Sequence, residues 1–231
     1  FPYTTLFRSI RGGLRNDIFD IRNIKSSNVI DEYDKTSLTN DFMSLFADGR
    51  TDTFDDGYFP TKGVNAGLSY AWTFAGIPEM INNFHTLQAD AKLVVPGGDG
   101  FTFIPSFYCR FLMGKDIPLA YFNAIGGSLP GRFVDQQVPF IGLTNLVAMK
   151  NIMTMFRTDF RFEVARNHYV TGTINYVRDA ETFRQFGEGM GNFGAGVEYS
   201  YDTIFGPISV NVHWSDFTGK VGLYLSAGFN F

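Results

Sequence analysis

Apolar and polar residues alternate with a period of two along much of the chain. Val221, Leu223, Leu225, Ala227, Phe229 and Phe231 stand against Lys220, Gly222, Tyr224, Ser226, Gly228 and Asn230. Just before them Ile208, Val210, Val212 and Trp214 alternate with Ser209, Asn211, His213 and Ser215, and Phe217-Thr218-Gly219 supplies a turn. Successive side chains of a strand point to opposite faces, so the two runs predict a hairpin. The pattern recurs from Phe193 to Tyr201, with Glu198 on the polar side and the turn signal Gly206-Pro207 after it. Further runs cover 169–176, 156–164, 87–95 and 64–74. In the second of these, Phe156, Thr158, Phe160, Phe162 and Val164 oppose Arg157, Asp159, Arg161 and Glu163, four charges of alternating sign on one side.

A charged face suits either a soluble sheet facing bulk water or a barrel strand facing a wet lumen. Length separates the two. Runs of 10 to 13 residues exceed the usual globular strand of about 5 or 6 and match the roughly 9 to 11 that cross a bilayer at a tilt. The segment from Phe101 to Leu112 is another candidate strand, weakened locally by Pro105. Segments near 10–23 and 36–50 alternate poorly.

Connection lengths fit the same picture. Outer-membrane barrels have short periplasmic turns and longer outer loops. Connections near 216–220, 178–190, 114–147, 75–84 and 24–35 are expected outside, and most are long; those near 203–206, 165–168 and 96–100 are tight. The connection near 51–62 is longer than its periplasmic place suggests, and 216–220 is shorter than an outer loop usually is.

Composition adds exclusions. The 26 Phe and 11 Tyr suit strands and interfacial girdles, whereas a mean hydropathy of −0.04 is what a greasy exterior averaged with a polar lumen gives. No stretch has the 18 or so consecutive apolar residues that a spanning helix needs, so a membrane crossing must use strands. The formal charge of −4 and scattered Lys and Arg leave no basic stripe for nucleic acid. Cys109 reads as a small apolar strand residue. The sequence opens without an initiator Met or a signal peptide, and residues 1–9 resemble a translated sequencing adapter, so the barrel domain is expected to run over 10–231.

Asp52-Thr53-Phe54-Asp55, followed by Tyr58-Phe59-Pro60-Thr61-Lys62-Gly63 and a strand, resembles the bacterial surface antigen superfamily of outer-membrane assembly and secretion barrels. The resemblance implies an all-β, antiparallel transmembrane β-barrel of about sixteen strands, of which this chain would hold about the last ten. From Tyr58 onwards the chain looks most like the barrel of Bacteroidota patatin-like phospholipases, including Gly126-Gly127, Arg132-Phe133 and Asp135-Gln136-Gln137-Val138-Pro139-Phe140-Ile141-Gly142. In such proteins a patatin hydrolase domain and a small periplasmic linker precede the barrel in cis. The alternative within the superfamily is a barrel that inserts or translocates polypeptides. A complete porin-like channel of about ten strands is a third reading, since even strand counts close.

The superfamily's long outer loop folds into the lumen and carries an arginine paired with acidic groups on inner strand faces. By position that loop is 114–147. Its motif order differs here, Gly131-Arg132-Phe133, so the resemblance offers Arg132 for that role, with Asp159 or Glu198 as partner. Phe229 and Phe231 resemble the terminal signal that outer-membrane proteins present to the barrel assembly machinery. The expected partners are therefore outer-membrane lipid and that machinery, and the expected location is the bacterial outer membrane.

Catalytic chemistry is not expected within this chain. A patatin nucleophile requires Gly-x-Ser-x-Gly at a sharp turn, and the nearest string, Gly126-Gly127-Ser128-Leu129-Pro130, ends in proline. His85, His168 and His213 lack ligand spacing, and Gly97-Gly98-Asp99-Gly100 lacks the Lys and helix of a phosphate cradle. Asp48, Asp52, Asp55 and Asp56 fit no calcium loop and read as a solvated turn. No metal or cofactor is expected.

Overall fold

In a computed structural model the chain is described over residues 7–21, 38–77, 83–115, 117–127 and 136–228. Ten long strands form one antiparallel sheet: β1 (Phe7–Ile21), β2 (Leu38–Asp52), β3 (Gly63–Ile77), β4 (Phe84–Gly98), β5 (Phe101–Gly114), β9 (Ile152–Ala165), β10 (His168–Ala180), β11 (Asn192–Thr203), β12 (Gly206–Ser215) and β13 (Val221–Ala227). They pair in chain order as a meander, interrupted between β5 and β9 by a segment with its own small sheet. There β6 (Asn123–Gly126) pairs in parallel with β7 (Gln137–Pro139) and antiparallel with β8 (Val147–Met149).

β1 begins at Phe7, and Phe7, Arg8 and Ser9 pair with Asp52, Thr51 and Arg50, three residues ahead of the expected domain start. Both N-terminal candidates are full strands of 15 residues despite their poor alternation. β5 runs unbroken through Pro105, whose missing N–H leaves the pairing Pro105↔Thr158 in register.

One rim of the sheet carries the tight turns 99–100, 166–167 and 204–205 together with 53–62. At the other lie 181–191 and 216–220, and the remaining strand ends are further apart in sequence: β1 ends at Ile21 and β2 begins at Leu38, β3 ends at Ile77 and β4 begins at Phe84, β5 ends at Gly114 and β9 begins at Ile152. These are called the short-turn rim and the long-loop rim. Gly98, Asp99 and Gly100 all have positive φ, which makes the expected hairpin turn at 97–100.

The two faces invert the usual order of a folded protein. On β9, Asp159 is 5% and Arg161 6% exposed, whereas their neighbours Phe160 and Phe162 are 37% and 47% exposed. Register carries the division across the sheet: Thr102, Ser106 and Arg110 of β5, Asp90 and Lys92 of β4, Thr173 and Asn175 of β10, and Asn211 and His213 of β12 share the inner face. Leu14, Leu45, Leu68, Ile174, Val197, Val212, Leu223 and Leu225 are exposed on the outer one.

Candidate functional site: the covered inner face

Two segments cover the inner face, one from each rim. From the long-loop rim, residues 117–127 and 136–149, called the insert, lie across it. Ile125, Val138, Phe140, Leu143 and Met149 of this insert form one buried cluster with Tyr108 of β5, Met153 and Met155 of β9 and Val177 of β10. All four of these strand positions have inner-face parity, so the apolar core sits inside the sheet and not between two sheets. At β11 the insert comes so close that a Cβ on Gly194 would collide with the Ile141 carbonyl. Beyond it, Ser215 Oγ of β12 donates to the Gly142 carbonyl at 3.0 Å.

Arg110 fastens the start of the insert. It is 5% exposed and donates to the Tyr121 carbonyl and to Asn123 Oδ1, both at 2.8 Å. Asn123 in turn donates to the Lys150 carbonyl at 2.7 Å, which ties the two ends of the insert together. Tyr121 sits in a second buried cluster with Phe42 of β2 and Phe84 of β4, its ring edge-on to both. Its hydroxyl donates to Asp17 of β1 at 3.1 Å. Burial, then the adjacent Asp17 carboxylate, push the Tyr121 hydroxyl up to about 12, so it keeps the proton it donates.

From the short-turn rim comes the 53–62 turn. Its shape is fixed internally. Asp55 Oδ1 accepts from the Thr61 N–H at 2.8 Å and the Lys62 N–H at 3.2 Å, and its Oδ2 from the Thr61 hydroxyl at 2.5 Å. Asp56 accepts from the Tyr58 and Phe59 N–H groups at 2.8 and 2.7 Å. Desolvation works against the Asp55 carboxylate, but these Thr61 and Lys62 donors outweigh it and hold its pKa below the usual carboxylate value. Gly63 closes the turn at φ +126°, where a Cβ would stand 2.5 Å from the Thr53 carbonyl oxygen.

The tip of that turn reaches strands distant in the sheet. Phe59 stacks on Tyr169 of β10 with ring centroids 4.1 Å apart and planes 9° from parallel. Arg161 of β9 donates to the Pro60 carbonyl, and its guanidinium lies 5.7 Å from the centroids of both rings. Nearer the base, Lys92 of β4 lies 5.9 Å from the Phe54 ring.

Between the two covers the inner wall is charged. Asp159 accepts from Arg157 Nε at 2.9 Å and from the Thr173 hydroxyl at 2.7 Å. Arg50 of β2 pairs with Asp90 of β4 at 3.1 Å, spanning β3, and Arg11 pairs with Asp48 at 3.1 Å.

Of the residues singled out from sequence, Asp159 and Glu198 are on the inner face, and Glu198 accepts from Ser200 at 2.9 Å. Arg132, Phe229 and Phe231 lie outside the described residues. The histidines are apart: His85 meets the Tyr70 hydroxyl at 2.8 Å on the outer face of β4, His168 meets Tyr199 at 2.6 Å at the start of β10, and His213 meets Asn211 at 2.9 Å on the inner face. Sequence reasoning missed Arg110, Tyr121, Asn123, Phe59 and Arg161's partner Pro60. The lone Arg110 among Tyr108, Phe111 and Leu112 was a usable signal, because a charge on a mostly apolar strand needs a local partner.

The family model of the OMP85 superfamily matches residues 7–231. No curated protein matches the chain.

Proposed function

The chain belongs to the OMP85 superfamily; we propose from that membership that it forms part of the wall of a bacterial outer-membrane β-barrel, and, from its resemblance in sequence to patatin-associated barrels, that this barrel anchors a patatin-like lipid acyl hydrolase. The observation that carries the membrane reading is the inverted burial. Leu14 is 68% exposed and Leu225 67%, while Asp159 and Arg161 are buried. That arrangement is favourable when hydrocarbon lies outside and polar groups satisfy one another inside. Tyr70, Trp72 and His85 near the long-loop rim, and His168, Tyr199 and Tyr201 near the short-turn rim, stack as amphipathic groups do at the two interfaces of a bilayer.

The anchoring role rests on the resemblance of the stretch from Tyr58 onwards, including Gly126-Gly127, Arg132-Phe133 and Asp135 to Gly142, to patatin-associated barrels, and it suits a barrel whose inner face is covered by its own segments. In this reading a hydrolase and a linker domain lie upstream in cis, bond cleavage belongs to the hydrolase, and the final strand engages the assembly machinery. Superfamily membership itself favours a second reading, a barrel that assembles or secretes polypeptides.

The test uses the full-length protein. Anchoring predicts that it fractionates with outer membranes, migrates faster on gels when unheated, and hydrolyses phospholipid through a Gly-x-Ser-x-Gly serine encoded upstream. Small periplasmic repeats upstream and no acyl hydrolysis would select the assembly reading, and a full-length product that stays soluble would sink both.

A further inference from the structure

We propose that the 53–62 turn is a lid over the short-turn mouth of the lumen, a closure separate from the insert formed by residues 117–127 and 136–149. The inference rests on the barrel reading, since a lid needs a lumen. Three observations carry it. First, the turn does not simply join β2 to β3: it passes the inner face of β4 at Lys92 and reaches β9 and β10, where Pro60 is buried and Phe59 is stacked on Tyr169. A connection needed only for a hairpin would take two to five residues, as at 99–100 and 204–205.

Second, the turn is one stiff piece. Asp55 and Asp56 collect its backbone donors, Thr53 and Val64 exchange hydrogen bonds at its base, and Gly63 allows the fold-back. Such a piece moves about its base without unfolding. Third, the catch is of a kind that opens reversibly. Arg161 hydrogen-bonds a neutral carbonyl and lies over two ring faces, with Asp55 and Asp56 of the turn acting on it through space. Asp159 of the wall also acts on it and stays when the turn leaves, so release strands no unpaired ion.

The register shows what the lid encloses. Thr102 pairs with Arg161 at the level of the catch, and Ser106 pairs with Arg157 further in. Deeper still, Tyr108 and Met155 belong to the cluster that the insert covers. Ser106, Lys92, Arg157 and Asp159 therefore line a charged compartment with the turn on one side and the insert on the other.

The test labels a Ser106→Cys probe, in a Cys109→Ala background, with a small membrane-impermeant maleimide on the full-length protein in lipid vesicles. With the native turn the probe should react slowly. Phe59→Ala and Arg161→Met should each raise the rate about tenfold, the scale expected for losing an aromatic stack or cation–π contact, and Phe59→Tyr should leave it slow. Equal rates with and without Phe59 would overturn the lid. The heat-dependent gel shift of the same samples reports on the barrel separately: its loss in the parent protein would remove the barrel reading and the lid with it. If Phe59→Ala alone loses the shift, Phe59→Leu replaces it, and a rate equal to the parent's again overturns the proposal.

Discussion

Asp55 shows how much order a single exposed side chain can impose. Its two oxygens take three donors from Thr61 and Lys62, and those bonds require the ionised form. Because its folded pKa lies below the ordinary value, its contribution is fully present above about pH 3.9, the unfolded carboxylate value. It is lost as pH falls through the depressed folded value. Hydrogen-exchange protection of the Thr61 and Lys62 amides should therefore hold at neutral pH and fall in strong acid, and Asp55→Asn should lower it at neutral pH and remove its fall in acid. Protection that survives the substitution would show that the strand ends alone shape the turn. Of the four aspartates expected in a solvated turn, only Asp55 and Asp56 lie in it; Asp48 and Asp52 belong to β2, where Asp48 faces inward and pairs with Arg11. The reach of the turn's tip was not legible either. Phe59 and Tyr169 are 110 positions apart in the chain, and neither residue type signals the other.

Arg110 and Tyr121 belong to the same scale, with a different chemistry. Replacing Arg110 by Leu removes two charge-assisted bonds and leaves Asn123 Oδ1 and the Tyr121 carbonyl without that donor inside the fold. The expected loss is about 3 kcal/mol, measured as a shift in the guanidinium midpoint of the full-length protein in vesicles. Tyr121→Phe keeps the ring cluster and loses the hydroxyl's bonds to Asp17 and Ser44, neither of them made by the guanidinium, so it should cost about 1 kcal/mol. A reversed order would mean that the hydroxyl, not the guanidinium, holds the insert.

Among the elements, adjacent residues of β3 offer the sharpest test of which side is wet. Leu68 is 59% exposed on the outer face, and Ser69 faces inward between Asp48 of β2 and Gln88 of β4. In water, Leu68→Lys would be harmless, as surface substitutions are. With hydrocarbon outside it should cost about 2–4 kcal/mol, whereas Ser69→Lys gains Asp48 as a neighbour and should be near neutral. Comparing the two midpoints in lipid decides it: equal effects would remove the membrane from the account. The strands that alternated clearly in sequence, such as β9 and β13, are those with hydrocarbon-type residues on one side and polar groups on the other. β1 and β2 were obscure for a physical reason. Their inner positions include Phe19, Phe42 and Phe46, and the first two pack on Tyr121 instead of facing water. Where the insert fills the inner face, both faces of a strand become apolar and the period of two disappears. The bulge at Met43/Ser44 shifts it further.

For the molecule as a whole, the decisive quantity is the state of the outermost strands. β1 and β13 stand at opposite ends of the ten-strand order, each paired on one side. A free strand edge in hydrocarbon leaves a row of backbone N–H and C=O groups without partners, at several kcal/mol for each group, and spanning sheets therefore close. The insert does not supply that closure, because it binds the inner face: Tyr121 at Asp17 toward one end and Gly142 at Ser215 toward the other. It braces the wall from within and leaves the edge donors where they are. These 231 residues expressed by themselves should consequently aggregate or remain outside the bilayer, while the full-length protein inserts and shows the heat-dependent gel shift. Recovery of the isolated chain as a protease-resistant monomer in vesicles would mean that β1 and β13 pair with each other and that ten strands make the complete wall.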